Sequence, residues 1–99
     1  MRTRDIEIVV TRHPGLVEVL REQGLVGLGC AVVVHATADD VRGKHVAGVL
    51  PLHLAALTAS FTEISLDLPP ELRGMELAAD QVRQYMKGTV RYSVTVIEA

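Results

Sequence analysis

The chain has no tryptophan, one phenylalanine and two tyrosines among its 99 residues. Proteins that bind single-stranded nucleic acid stack bases on aromatic side chains, so this shortage argues against that class. Surplus positive charge is missing too: ten Lys and Arg stand against twelve Asp and Glu, a net charge of −2. A long DNA or RNA partner requires a basic footprint that this balance does not supply. A few arginines focused in one cleft can still hold a few phosphates, so a small nucleotide ligand stays open. Cys30 is the single cysteine; it can form no internal disulfide and makes no zinc site alone. The four histidines have no His-Glu-x-x-His type of spacing, and no metal or other cofactor is expected. The longest apolar run, from Leu50 to Leu57, is interrupted by His53 and falls far short of the roughly 20 residues of a membrane span. Met1-Arg2-Thr3-Arg4-Asp5 leads directly into a strand pattern, with no signal-peptide apolar region. The expectation is a cytoplasmic protein with no membrane partner.

What the chain does have is apolar residues at 48%, ample for a core, spread without linker, repeat or low-complexity segment. One domain over residues 1–99 is expected. A chain this short buries only about 60–65% of its unfolded surface and gains from self-association. Residues 5–11 are β-branched and turn continuously apolar, as a buried strand does. Pro14 suits a first helical turn and Gly24 a position just past a helix, which brackets a helix over about 14–23. A second buried strand is expected over 30–35, a loop around Asp39, Asp40 and Gly43, and a third strand over 45–50. Pro51 opens a Leu- and Ala-rich helix to about Ser60; strands over 62–68 and 89–97 flank a helix over 78–87 that Gly88 stops. Strands alternating with helices imply right-handed crossovers and a small three-layer α/β domain with a mainly parallel, five-stranded sheet. The cleaner alternation of the fifth strand suits an edge or antiparallel position, or pairing with a second subunit.

In an open parallel sheet, ligands bind beyond the carboxyl ends of the strands. Thr11-Arg12-His13 follows the first strand, His53 lies in the first turn after the third, and Asp67 ends the fourth with Arg73 soon after. Helices starting at that edge also aim unpaired N–H groups at the crevice. Arg12 can hold a phosphate through two parallel hydrogen bonds, and His13 can exchange a proton near neutral pH. The plainer alternative makes Arg12 a solvated loop residue and His13 a substitute helix cap. His53 could equally hydrogen-bond a neighbouring carbonyl; Asp67 could orient Arg12 or Arg73, or cap a turn. His35 and His45, at strand ends, read as structural.

Three segments carry a resemblance: Val10-Thr11-Arg12-His13-Pro14-Gly15, Gly48-Val49-Leu50-Pro51-Leu52-His53-Leu54-Ala55-Ala56, and Ser65-Leu66-Asp67-Leu68-Pro69-Pro70-Glu71-Leu72-Arg73-Gly74-Met75-Glu76-Leu77. In this order and spacing they resemble the small Csx-sixteen family of CRISPR-associated proteins that accompanies type III systems. The resemblance covers most of residues 6–86 and is weaker at Gly27–Cys30 and Ala36–Ala38. It implies a Rossmann-like homodimer related to CARF sensor domains, acting as a ring nuclease on cyclic tetra-adenylate, the second messenger of the antiviral response. It further implies attack by the ribose 2′-hydroxyl without a metal, leaving a 2′,3′-cyclic phosphate. Arg12 and His13 would be catalytic; Thr11, Pro14, Gly15, Pro51, His53, Asp67 and Arg73 would bind ligand.

Other classes fit some of the same residues. A module that binds the ring without cleaving it would use the same arginine. A histidine phosphatase also places an Arg-His pair after its first strand, but here Pro14 displaces the expected glycine. A purely structural interaction protein would need neither.

Overall fold

The computed structural model describes residues 6–99. Asp5, expected to begin the first strand, and the Met1–Arg4 segment before it lie outside the described residues. The elements run β1 (Ile6–Val10), α1 (Pro14–Glu22), β2 (Val26–Val33), α2 (Ala38–Val41), β3 (His45–Gly48), α3 (Leu52–Ala55), β4 (Ser60–Leu66), α4 (Ala79–Tyr85) and β5 (Met86–Tyr92), with a 3-10 turn at Pro70–Leu72 before α4. The five strands form one sheet in the order β2-β1-β3-β4-β5.

Side chains alternate across a strand, and that period divides the core in two. Val9 and Ala47 face the side covered by α1 and α4, where Leu16, Val17, Leu20 and Val82 are buried with them. Ile8, Val10 and Val46 face the other side, against Val41 of α2 and Ala55 of α3. The result is an α/β domain of three layers. No helix among the described residues is long and apolar enough to cross a membrane.

The sheet is mixed, not mainly parallel as expected. β1 pairs in parallel with β2 and β3, and β3 with β4, but β4 and β5 are antiparallel. The cause is local: the Asp67 N–H donates to the Tyr85 carbonyl at 2.9 Å, pinning the end of α4 beside the end of β4. With no loop between α4 and Met86, the chain enters β5 at that edge and must run back. β5 thus takes the edge position that its alternation suggested.

Several boundaries also differ from expectation. β2 begins at Val26 and is largely exposed, because it is an edge strand: Leu28 is 85% exposed. The expected loop at Asp39-Asp40 is the short helix α2, nucleated by a reciprocal cap in which Thr37 and Asp40 each accept the other's backbone N–H. α3 is far shorter than expected, with Pro51 as its N-cap. Gly88 does not stop α4 but lies inside β5 opposite Ser65, and β5 ends at Tyr92, not at Ile97.

Candidate functional site

The chain leaves β1 toward β2 through α1 on one face, then returns to β3 through α2 on the other. The neighbouring carboxyl ends of β1 and β3 therefore diverge, which opens a crevice of the kind that receives ligands in α/β sheets. A cavity of about 570 Å³ lies there, within the roughly 300–1,000 Å³ range of small-molecule sites. Its apolar wall includes Val10, Val34, Val49, Leu50 and Leu54, and its polar groups are Thr11, Arg12, His13 and His35.

Gly48 shapes one wall. A Cβ there would meet the Val10 carbonyl oxygen at 2.1 Å, and its φ is +120°, so only glycine lets β3 close on β1 at this point. The Val49 N–H then donates to that same carbonyl at 3.0 Å, turning Val49-Leu50-Pro51 over the cavity. On the other wall, the Thr11 N–H donates to the Val33 carbonyl at 2.9 Å, which carries Val34 and His35 past the end of β1.

Between the walls is the turn Thr11-Arg12-His13. The buried Thr11 hydroxyl accepts the His13 N–H at 3.1 Å and fixes the entry to α1. Gly15 then lets α1 touch the chain before α4: an added Cβ would lie 2.5 Å from the Ala79 nitrogen and 2.7 Å from the Leu77 carbonyl oxygen. This close packing brings the Leu77 N–H to His13 Nδ1, a hydrogen bond of 3.0 Å across 64 positions of sequence. Because Nδ1 accepts, neutral His13 carries its proton on Nε2. Burial and the adjacent Arg12 charge hold His13 below the usual histidine range, with Glu76 partly opposing them.

Arg12 is exposed and belongs to none of the ion pairs among the described residues, which join Arg42 to Asp39, Arg83 to Glu22 and Asp80, and Lys87 to Asp67. It also lines a second hollow of about 280 Å³, shared with Pro14, Arg21 and Val32. Its guanidinium therefore stands between two concavities with its donors uncommitted.

Thr11, Arg12, His13 and Pro51 thus meet at one cavity, as the strand-end argument anticipated. Pro14 lines the hollow beside it, and Gly15 acts through packing. The other three candidates lie outside this wall. His53 is exposed on α3; Asp67 is exposed and 3.8 Å from the Lys87 ammonium; Arg73 donates from Nε to the Leu68 carbonyl at 3.4 Å. The residue that the sequence reading passed over is His35, which the parallel β1–β2 pairing carries to the same edge. His45 is indeed engaged internally, with Nδ1 2.7 Å from the Ser60 hydroxyl and 3.1 Å from the Arg91 guanidinium. Among the described residues no three His, Cys, Asp or Glu side chains are grouped to share a metal ion.

Residues 8–95 match the family model described as "Putative CRISPR-associated protein (Cas_VVA1548)". No curated protein and no solved structure gives a significant match.

Proposed function

The chain belongs to this family of CRISPR-associated proteins, and from that premise we propose that it is a ring nuclease of the Csx-sixteen type, cleaving cyclic tetra-adenylate to end type III antiviral signalling. The observation that carries the reading is the uncommitted Arg12 beside the Nε2–H of His13, at a ligand-sized cavity beyond the strand ends. Both groups are donors with no acceptor of their own to satisfy there, which suits the oxygens of a phosphodiester. The apolar wall suits a purine face.

The ribose 2′-hydroxyl attacks the adjacent phosphorus in line, the bond to the 5′-oxygen breaks, and a 2′,3′-cyclic phosphate remains. The nucleophile belongs to the substrate, so the protein's tasks are to align three atoms and to stabilise charge on the phosphoryl oxygens. Alignment of an intramolecular reaction is worth up to roughly 7–11 kcal/mol. A preorganised donor such as Arg12 adds on the order of 10²–10³ in rate. Thr11 and Leu77 hold the turn and the His13 ring, so neither donor must reorganise as charge develops.

A ring of four adenylates is larger than a drug-sized ligand, and one cavity takes only part of it. A two-fold homodimer would offer two equivalent cavities to two equivalent phosphates. In this reading the domain is Rossmann-like and related to CARF sensors, and it works in the cytoplasm. His53, Asp67 and Arg73, at the same edge of the sheet but outside the cavity wall, would reach ligand only across such an assembly.

Incubation with cyclic tri-, tetra- and hexa-adenylate in EDTA, followed by chromatography, tests the proposal. Conversion of the tetramer to products with 2′,3′-cyclic phosphate ends is the expected result. A ring bound but recovered intact would leave a sensor or sponge; neither binding nor conversion would remove the cyclic oligoadenylate reading altogether.

A further inference from the structure

We infer that His35, not His13, is the residue that exchanges protons with the ligand in this cavity, while His13 serves as a fixed neutral donor; the inference rests on the phosphodiester reading above. The argument begins with what each ring can do. To accept a proton, His13 must offer a free nitrogen, and it has none. Nδ1 holds the Leu77 N–H, and Nε2 already carries the proton. Charging the ring would turn Nδ1 into a second donor facing the Leu77 N–H and would set a cation beside Arg12. The lowered proton affinity of His13 is the expression of this arrangement.

His35 is free of such ties. It is exposed, it lines the same cavity, and neither ring nitrogen has a hydrogen bond among the described residues. The charged and titratable groups facing it across the cavity are Arg12 and His13, both from the β1–α1 turn. The β3–α3 turn and α3 present only Val49, Leu50, Pro51 and Leu54. No carboxylate lines the cavity among the described residues, so His35 is the remaining side chain there able to take a proton from a hydroxyl.

The step balances as follows. As the 2′-oxygen bonds to phosphorus, its proton passes to a ring nitrogen of His35. The 5′-oxygen departs with a proton drawn from solvent, and His35 returns its own to solvent. Arg12 and His13 Nε2–H stay bonded to the phosphoryl oxygens throughout and transfer nothing.

Two measurements on the whole chain test this. Long-range nitrogen–proton NMR of the imidazoles reads the tautomers directly and needs no ligand. The expected result is a single Nε2–H tautomer for His13, and for His35 tautomer averaging whose signals move with pH and again on addition of cyclic tetra-adenylate. The pH–rate profile of ring cleavage is then compared across variants. His35→Gln should lower the rate by about 100-fold or more and flatten the profile, in line with loss of a general base. His13→Gln should lower the rate while keeping the profile's shape. An Nδ1–H or averaged tautomer at His13 would overturn the assignment, as would a His35→Gln variant with wild-type rate and profile. A wild-type protein that neither binds nor cleaves the ring would instead remove the substrate reading, and the tautomer spectra would still decide between the two histidines.

Discussion

Gly15→Ala tests the link between packing and site most sharply, because two effects of opposite sign compete there. In an ordinary helix position, replacing glycine by alanine stabilises by roughly 0.5–1 kcal/mol. Here the new Cβ would stand 2.5 Å from the Ala79 nitrogen, 2.6 Å from the Ala78 carbonyl carbon and 2.7 Å from the Leu77 carbonyl oxygen. All three are backbone atoms, so no side chain can swing away, and overpacking of this kind costs about 1–3 kcal/mol. If the 77–79 segment retreats to relieve it, the Leu77 N–H leaves His13 Nδ1 and roughly 1 kcal/mol of hydrogen bonding is lost as well. The clash and lost bond outweigh the propensity gain, giving a net loss of about 1–3 kcal/mol. For a domain of this size that lowers Tm by on the order of 10 °C. Urea unfolding should show a lower midpoint at unchanged slope. Gly29→Ala is the control: nothing lies within 4 Å of its Cβ, and stability should stay within about 0.5 kcal/mol of wild type. A Gly15→Ala protein as stable as wild type, with its His13–Leu77 bond intact by NMR, would refute the reasoning.

The remaining predictions concern charge and burial. His13 is held below the usual histidine range, so the unfolded chain binds more protons than the folded one between the two values. Its contribution is complete above the unfolded value of about 6.5 and is lost as pH falls below it; wild-type stability should therefore decline more steeply on acidification than that of His13→Asn. Arg12 has no protein partner to leave stranded, so Arg12→Ala should leave Tm nearly unchanged while weakening cyclic tetra-adenylate binding by about 1.5–3 kcal/mol, read by calorimetry. The Thr62 hydroxyl is buried in β4 and finds no partner among the described residues. Thr62→Val should raise stability by about 1–2 kcal/mol in thermal unfolding, and a destabilised variant would mean that the hydroxyl is bonded after all.

Parts of the fold were legible because single residues announce them. Pro14 opens α1, and Gly24, at φ +70°, follows its end. The Thr11-Arg12-His13 turn reads directly as the carboxyl end of a buried strand. Other parts depend on partners that no local pattern reveals. β2 is interrupted by Gly27 and Gly29, which weaken its strand signal, and its exposure follows from the edge position that the sheet order assigns. α2 was concealed by Asp39, Asp40 and Gly43, residues typical of loops; the spacing of Thr37 and Asp40 was the available sign of a cap. His35 could have been found by applying the strand-end rule to β2 as it was applied to β1. The Leu77 bond that fixes the His13 tautomer spans most of the chain and had no sequence signal.

The most direct test of the central claim is the single-turnover cleavage of cyclic tetra-adenylate in EDTA by wild type and Arg12→Ala side by side. The account predicts 2′,3′-cyclic phosphate products from wild type and a rate lower by roughly 10²–10³ in the variant. Equal rates would contradict it, because the phosphate would then be handled somewhere other than the cavity at the ends of β1 and β3.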